Sequence, residues 1–249
     1  VILDAEIKRV NLYIRVEEGN QYHFGDITWI GNTKYTAGIG GLHSCEKGAR
    51  HTNDGNILRD YDVASYYPRI ILNNRLYPKH IGEPFLAIYE SIVDRRLKAK
   101  RSGDKVTNES LKITINGSFG KLGSKWSCLY SPDLMLQVTV TGQLSLLMLI
   151  ERLELAGISV VSANTDGIVV KMKPEQEAKA EEIVEDWQFD TDYELDGTDY
   201  VSLNSRDINN YIAVKPSGSK GKGAYSDQRE HYYKLRSNPS NDICTEAVK

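Results

Sequence analysis

The stretch Asp62-Val63-Ala64-Ser65-Tyr66-Tyr67-Pro68 closes a run of strand-forming residues with a carboxylate and continues into a polar, aromatic turn. A second stretch, Asn164-Thr165-Asp166-Gly167, lies between two runs rich in β-branched residues, Ile158 to Ala163 and Ile168 to Met172. This pattern predicts a β-hairpin with Asp-Gly in its turn. Each aspartate is therefore expected at the end of a buried strand, where the backbone fixes its carboxylate.

Two carboxylates in one place favour a metal site. Like charges held close together repel each other, and divalent cations relieve that repulsion. Mg²⁺ favours carboxylate and phosphate oxygens, and two such ions can activate a hydroxyl nucleophile and stabilise a leaving pyrophosphate. An Asp-Gly turn also occurs without any catalytic role. Asp166 therefore indicates a catalytic site only in combination with Asp62.

A basic insert separates the two aspartates. Residues 79 to 125 carry 10 Lys or Arg against 5 Asp or Glu, although the whole chain has a net charge of −3. Helix signals extend from Pro84 to about Arg101 and from Asn108, a suitable N-cap, to about Gly120. Ser102-Gly103-Asp104 forms the turn between them, so the insert is predicted to be a two-helix hairpin.

Side chains on both predicted helices could face a triphosphate. Arg96 and Lys100 share a face of the first helix, and Lys112, Asn116 and Phe119 share a face of the second. Cations that converge on one cleft would neutralise a triphosphate, as phosphoryl transfer requires. The alternative is a solvated basic surface, which is the usual reason for such charge runs.

The bulk composition bounds the class of protein. The chain has 249 residues, 40% of them hydrophobic, which is enough for a buried core in one or two domains. No run approaches the ~20 apolar residues that span a bilayer, and no signal-peptide pattern is present, so no membrane partner is expected. Cys45, Cys128 and Cys244 lack zinc or disulfide spacing, which indicates an intracellular location.

The remaining segments predict a mixed α+β fold. Strands are expected at Tyr13 to Val16, His23 to Ile30, residues 56 to 63 and Tyr211 to Val214. The longest helix is predicted from Ser131 to Gly157, and a charged surface helix from Pro174 to about Trp187. Lys220-Gly221-Lys222-Gly223 is predicted to be a basic turn, whose lysines either grip phosphates or solubilise a loop. The 5 histidines show no metal-ligand spacing.

In this order and spacing the motifs resemble those of family-B DNA polymerases, particularly phage-encoded ones. Asp62 to Pro68 is similar to the family motif Asp-x-x-Ser-Leu-Tyr-Pro, with Tyr66 in place of Leu. Lys112 to Gly120 resembles Lys-x-x-x-Asn-Ser-x-Tyr-Gly, with Gly and Phe in place of Ser and Tyr. Asn164-Thr165-Asp166 resembles Asp-Thr-Asp with its first carboxylate replaced. Tyr211 resembles the Tyr of a Lys-x-Tyr motif, with Asn209 in place of Lys.

The resemblance implies a role for each site residue. Asp62 and Asp166 would be the catalytic aspartates and, with the backbone carbonyl of Val63, would hold two Mg²⁺ ions, for which Mn²⁺ can substitute. Tyr67 would exclude ribonucleotides by a clash with the 2′-hydroxyl. The nucleotide-binding residues would be Ser65, Tyr66, Tyr67, Arg96, Lys100, Lys112 and Asn116. The template- or primer-binding residues would be Phe119, Gly120, Thr165, Tyr211, Lys220 and Lys222.

The resemblance also implies an architecture: an antiparallel-sheet polymerase palm backed by helices, with an inserted two-helix fingers hairpin. Residues 1–82 and 127–215 would form the palm, 83–126 the fingers, and 216–249 the transition to a truncated thumb. An exonuclease would precede residue 1, so the chain is expected to be part of a longer enzyme. Its partners would be primer-template DNA, dNTPs and replication accessory proteins, in the host cytoplasm if a phage encodes it.

Two other functions stay open. A catalytically silent, polymerase-like module that only binds nucleic acid is favoured by Asn164 and Asn209, and opposed by the presence of both aspartates. A reverse transcriptase or primase is the second alternative. The Asn-Thr-Asp hairpin differs from the Tyr-x-Asp-Asp of reverse transcriptases, and Tyr67 argues against a primase.

Overall fold

The protein is described from a computed structural model. The described residues are 2–4, 9–11, 26–27, 35–38, 40–45 and 47–225. The strand predicted at Tyr13 to Val16 lies outside these residues. Of the strand predicted at His23 to Ile30, only Asp26 and Ile27 are described, and they are in a strand.

The described residues form an α+β fold with two large antiparallel sheets, as predicted, and a separate two-stranded pair. The strands are β1 (Ile2–Asp4), β2 (Arg9–Asn11), β3 (Asp26–Ile27), β4 (Tyr35–Ala37), β5 (Leu42–Ser44), β6 (Gly48–His51), β7 (Ile57–Val63), β8 (Ser159–Asn164), β9 (Gly167–Met172), β10 (Leu195–Tyr200), β11 (Ser202–Asp207), β12 (Asn210–Lys215) and β13 (Gly218–Lys222). The helices are α1 (Tyr66–Asn73), α2 (Pro84–Ser102), α3 (Lys105–Leu122), α4 (Pro132–Leu155) and α5 (Glu177–Thr191). A short 3₁₀ turn, Pro174–Gln176, precedes α5.

The larger sheet has the strand order β10-β7-β9-β8-β5-β4-β3, and the smaller sheet has the order β13-β12-β11-β6. Strand β7 lies between β10 and β9, so Asp62 pairs with Asp196 on one side and Gly167 on the other. The two strands that carry the catalytic candidates are thus direct neighbours.

Strand β7 has two distinct faces, because successive side chains of a strand point to opposite sides. Tyr61 and Val63 belong to the main core, under the helices. Leu58 belongs to a second apolar cluster with Leu203 and Ala213 of the smaller sheet. Asp60 and Asp62 are two and four residues after Leu58, so they share its face of the strand and face the smaller sheet.

Helix α4 is the centre of the main core. Leu146, Leu149 and Leu153 are fully buried on it, and Trp187 of α5 donates its indole N–H to the Ser145 carbonyl over 2.8 Å. Truncation of a buried aromatic side chain of this size to alanine typically costs about 3–5 kcal/mol. Helix α5 is therefore not only a charged surface helix, since one face of it is part of the core.

By length and composition, α4 is also apolar enough to cross a membrane, although nearly half of its most apolar part is buried inside the protein. The expectation that no stretch approaches a membrane span is thus corrected for this helix. Counting uninterrupted apolar runs missed it, since Thr, Gly and Gln interrupt the run without making the helix polar. Its buried leucines are the ordinary pattern of a core helix.

Helices α2 and α3 form the predicted hairpin, with one corrected boundary. Gly103 ends α2 with φ 74°, the left-handed conformation that glycine adopts readily at a C-cap. Helix α3 begins at Lys105, earlier than the predicted Asn108, because the Asp104 side chain accepts a hydrogen bond from Thr107 N over 3.0 Å and acts as the N-cap.

Pro68 lies in the first turn of α1, where its missing N–H is tolerated. One further predicted element differs. The predicted basic turn at Lys220-Gly221-Lys222 is instead part of edge strand β13, where Lys222 pairs with Tyr211. Lysine and glycine suit an exposed sheet edge as well as a turn, which is why the sequence was misleading.

Candidate active site

Asp62 and Asp166 are brought together by backbone hydrogen bonds. Strand β7 ends just after Asp62, and the Val63 N–H donates to the Asp166 carbonyl over 2.7 Å. Asp62 is paired with Gly167, the residue after Asp166. Both aspartates are exposed at the same sheet edge, so their carboxylates are accessible to a ligand.

Gly167 permits this close pairing. A Cβ atom at this position would lie 2.9 Å from the Tyr61 carbonyl oxygen and 3.1 Å from Asp62 Oδ1. Any other residue would push β9 away from β7 or displace the Asp62 carboxylate. The predicted Asp-Gly turn is corrected here: Thr165 and Asp166 form the turn, and Gly167 already belongs to β9.

The hairpin turn has an unusual backbone. Thr165 has φ 61°, which is uncommon for a β-branched residue, and the Asp166 N–H donates to the Asn164 carbonyl over 2.7 Å. The turn is held from β5, because the Thr165 N–H donates to the Leu42 carbonyl over 2.8 Å and the Thr165 hydroxyl lies 3.1 Å from His43 Nε2. Strained backbone that its surroundings fix in this way clusters at functional sites.

Gly41 lies against the same turn. Its φ is 150°, and a Cβ atom there would lie 2.9 Å from Thr165 Cγ2. The turn is therefore enclosed by β5 and by the residues before it. His43 and Gly41 also position the turn, and no sequence motif marks either of them.

The electrostatics of the pair are those of a cation site. Each aspartate has exposed surface, but the walls of the cleft desolvate its carboxylate. This desolvation, followed by the charges of Asp166 and Asp60, raises the pKa of Asp62 to about 7. Burial also raises the pKa of Asp166, against the opposing effect of Lys222 and Lys220. Carboxylates that are costly to ionise when alone are relieved by a positive charge placed between them.

A cleft of about 240 Å³ lies in front of the pair, between the two sheets. The residues that line it are Asp60, Asp62, Ser162, Asn164, Asp166, Gly167, Val169, Tyr200, Leu203, Tyr211, Lys220 and Lys222. The cleft thus brings Tyr211, Lys220 and Lys222 to the aspartates, and the Lys222 ammonium lies over the Tyr211 ring at 5.7 Å from its centroid. Asp60 and Tyr200 are further lining residues that the sequence did not predict.

The donor set suits Mg²⁺ but does not form a complete cage. Carboxylate and carbonyl oxygens are its preferred ligands, and Asp62, Asp166 and the Val63 carbonyl provide them. Within the described residues, however, no group of three or more His, Cys, Asp or Glu side chains could hold a metal ion. Mg²⁺ sites of this kind are completed by substrate phosphates, so the residues fit a cation that binds together with a nucleotide.

Tyr67 lies between the aspartates and the helix hairpin. Its ring stacks on Phe119 of α3 with centroids 4.4 Å apart, and its hydroxyl donates to the Gly40 carbonyl. Tyr66 is different: its ring is 3% exposed, and its hydroxyl donates to the Gly142 carbonyl over 2.5 Å. The Tyr66 side chain therefore packs in the core and is unavailable to a nucleotide, which corrects the prediction for that side chain.

Arg96 ties α2 to the same segment, because its Nη1 donates to the Ser65 hydroxyl over 2.7 Å. The other predicted residues of the hairpin, Lys100, Lys112, Asn116 and Gly120, are exposed. None of these four is among the residues that line the cleft. The structure thus joins Arg96 and Phe119 to the Asp62 segment, and leaves the other four on the hairpin surface.

Comparison with known proteins supports the fold. No protein-family model matches the sequence, and no curated protein sequence matches it. Solved structures do match, including a family B DNA polymerase from the hyperthermophilic archaeon Pyrobaculum calidifontis, with a TM-score of 0.53 and 17% sequence identity. The match covers 91% of this chain and 34% of that polymerase. The chain therefore has a polymerase-like fold and spans about a third of the length of this neighbour.

Proposed function

We propose that this chain is the catalytic core of a template-directed DNA polymerase that adds deoxynucleotides to a primer 3′-hydroxyl. The main support is the pairing of Asp62 with Gly167. It places the carboxylates of Asp62 and Asp166, both with a raised pKa, at one cleft of a polymerase-like fold. The lysines of the same cleft match an anionic partner. In this proposal residues 1–82 and 127–215 are the palm, 83–126 the fingers and 216–249 the palm–thumb transition.

Each group has a defined task in the proposed reaction. Asp62, Asp166 and the Val63 carbonyl would hold two Mg²⁺ ions, which when bound supply charge stabilisation to the attacking and leaving oxygens. Tyr67 would lie under the sugar of the incoming dNTP, where a 2′-hydroxyl would clash with its ring. Arg96, Lys100 and Lys112 would bind the triphosphate, and Asn116 the incoming nucleotide.

The smaller sheet contributes basic side chains to the cleft. Lys220 and Lys222 are on edge strand β13 beside Tyr211, so they would contact primer phosphates as point charges. Phe119, Gly120 and Thr165 would lie along the nascent pair and the primer terminus. Primer-template DNA and dNTPs are the proposed partners, with replication accessory proteins as further partners in an intracellular setting.

One observation favours a silent module as the second candidate. The Asn164 side-chain amide donates to the Ile208 carbonyl over 3.1 Å, so this position performs a structural task and carries no charge. A module that had lost catalysis could keep such a residue while still binding nucleic acid. The presence of Asp62 and Asp166 at one cleft opposes this alternative.

The proposal is tested with a primed DNA template, Mg²⁺ and a single dNTP at low salt. We expect extension by one nucleotide when the dNTP matches the template base, and at least ~10²-fold slower extension when it does not, since each wrong pair loses its hydrogen bonds. Extension that ignores the template would identify a different transferase. No extension, together with binding of the primed DNA but no metal-dependent dNTP binding, would favour the silent module.

A further inference from the structure

The cleft contains a third carboxylate that the proposed reaction does not use. Asp60 precedes Asp62 by two residues on β7, faces the same side and lines the same cleft. In the sheet it pairs with Val169 and Thr198, while Asp62 pairs with Gly167 and Asp196. The Tyr200 hydroxyl donates a hydrogen bond to Asp60 Oδ2 and holds the carboxylate in place.

Asn164, by contrast, is committed to a structural role. Its Nδ2 donates to the Ile208 carbonyl over 3.1 Å, and its Oδ1 lies 3.3 Å from the Thr165 hydroxyl. A carboxylate at this position would bring its oxygen against the Ile208 carbonyl oxygen, two acceptors with no proton between them. The residue therefore ties the hairpin to the turn between β11 and β12 without adding a negative charge.

The charge balance of the cleft then depends on Asp60. The lining contains three carboxylates, Asp60, Asp62 and Asp166, and two ammonium groups, Lys220 and Lys222. When all are ionised the lining carries one net negative charge, and without Asp60 it carries none. Within the described residues no group of three His, Cys, Asp or Glu side chains could hold one metal ion, and Asp60 Oδ2 already accepts a hydrogen bond from Tyr200. We therefore assign Asp60 an electrostatic effect on the site. Clefts with a net field concentrate the opposite charge.

We propose that Asp60 supplies the negative charge with which the cleft of Asp62 and Asp166 attracts a divalent cation, a charge that Asn164 does not provide. Asp60 is in this sense a positioning residue and not a catalytic one. This inference rests on the proposed function, because it assigns a task at the same cation site.

The test measures binding of Mn²⁺ alone, from the electron paramagnetic resonance signal of the free ion, at pH 8 and low salt. The variants are Asp60→Asn, the double variant Asp60→Asn with Asn164→Asp, and Tyr200→Phe. Asp196→Asn is the matched control, since Asp196 faces Asp62 from β10 but is outside the cleft lining. Thermal unfolding of each variant confirms that it is folded.

We expect Asp60→Asn to weaken Mn²⁺ binding about tenfold, the size of effect that one nearby charge has on a partly screened site. The double variant should regain part of that loss, because the charge returns to the same cleft although the new carboxylate loses the hydrogen bond to the Ile208 carbonyl. Asp196→Asn should change binding less than about threefold. Unchanged binding in Asp60→Asn would overturn the inference, and so would an equal loss in Asp196→Asn.

Two further outcomes separate this inference from the proposed function. If Tyr200→Phe loses as much affinity as Asp60→Asn, and the double variant is not restored, Asp60 matters only as the partner of Tyr200 and the inference fails alone. If the parent protein binds no Mn²⁺ and Asp62→Asn changes nothing, the cation site itself is absent and the proposed function fails with it.

Discussion

Arg96 Nη1 donates a 2.7 Å hydrogen bond to the hydroxyl of Ser65, and so joins the helix hairpin to the segment that follows Asp62. Ser65 has φ 56°, a left-handed conformation that costs about 1–2 kcal/mol for a residue with a Cβ atom. The contact thus links a strained residue beside the candidate metal ligands to a cation on the hairpin. Under the proposed function, Arg96 would exchange this hydroxyl for a phosphate when a nucleotide binds.

Replacement of Arg96 should therefore weaken nucleotide binding. We expect Arg96→Met to raise the dNTP concentration for half-maximal single incorporation by about 10- to 100-fold, since a charge-assisted contact is lost. Ser65→Ala should change it less than about fivefold, because it removes only the resting partner. The exposed neighbour Arg95 is the control, and an equal effect of Arg95→Met would show that only general charge matters.

Tyr67 should set the sugar specificity. Its ring is fixed by stacking on Phe119 and by the hydrogen bond to the Gly40 carbonyl. We expect Tyr67→Val to lower the ratio of kcat/KM for dCTP over CTP by about 10²-fold, the range in which a steric contact with one hydroxyl discriminates. Tyr67→Phe keeps the ring and should keep the ratio. A ratio that falls equally in both variants would mean that the hydroxyl, and not the ring, is responsible.

The metal-free protein should lose stability as the pH rises towards neutrality. The pKa of Asp62 is raised from 3.8 to about 7, so between these values the folded protein holds a proton that the unfolded chain has released. Stability falls with pH wherever the folded state binds more protons, and this contribution levels off above about pH 7. In EDTA, Asp62→Asn should therefore raise Tm at pH 8 but hardly at pH 4.

The size of that pH effect is modest, because Asp62 is exposed at the cleft edge. For a protein of this length, each kcal/mol of relieved repulsion raises Tm by about 2–4 °C. Mg²⁺ at pH 8 should stabilise the parent and not Asp62→Asn. In EDTA, the Tm of the parent should fall relative to that of Asp62→Asn between pH 4 and pH 7. The same change of Tm with pH in both proteins would contradict a raised pKa for Asp62.

Arg59 should matter for stability away from the cleft. Its guanidinium, 16% exposed, binds Glu177, Glu181 and Asp199 at 2.6–2.7 Å and so links β7 to α5 and β10. We expect Arg59→Met to lower the free energy of unfolding by about 1–3 kcal/mol, since three carboxylates lose their partner. Arg152→Met, which removes a more exposed pair with Asp190, should cost at most about 1 kcal/mol. Urea unfolding measures both free energies. An equal loss in Arg59→Met and Arg152→Met would show that the three ion pairs of Arg59 contribute no more than the single pair of Arg152.

The elements that the sequence predicted well are those with strong local signals. The hairpin around Asp166 is set by two β-branched runs, and the helix pair by Pro84, Gly103 and Asp104 at its ends. Strand β7 was predicted from strand-forming residues that end at Asp62. Tyr66 shows what local sequence patterns do not predict. Gly142, which is distant in sequence, leaves room for the Tyr66 ring, because a Cβ atom on Gly142 would lie 3.3 Å from Tyr66 Cε1. A tyrosine beside Tyr67 therefore enters the core instead of the site.

The missed site residues depend on contacts between distant parts of the chain. Asp60 and Tyr200 are 140 positions apart, and His43 and Thr165 are 122 positions apart. No local pattern marks such residues, because strand register and the packing of two sheets bring them together. Lys220 and Lys222 were predicted as basic residues, but their place on an edge strand was hidden by the glycines between them.

The most direct test of the account compares single-nucleotide incorporation rates of the parent, Asp62→Asn, Asp166→Asn and Asp196→Asn in Mg²⁺, by rapid quench on a primed DNA template. These substitutions preserve side-chain size, so they change charge with little change in packing. The account predicts at least ~10³-fold slower incorporation for Asp62→Asn and Asp166→Asn, as expected when groups that stabilise the transition state are removed, and at most about threefold for Asp196→Asn. Incorporation that survives in either of the first two variants at more than a tenth of the parent rate would contradict the assignment of this pair as the catalytic centre.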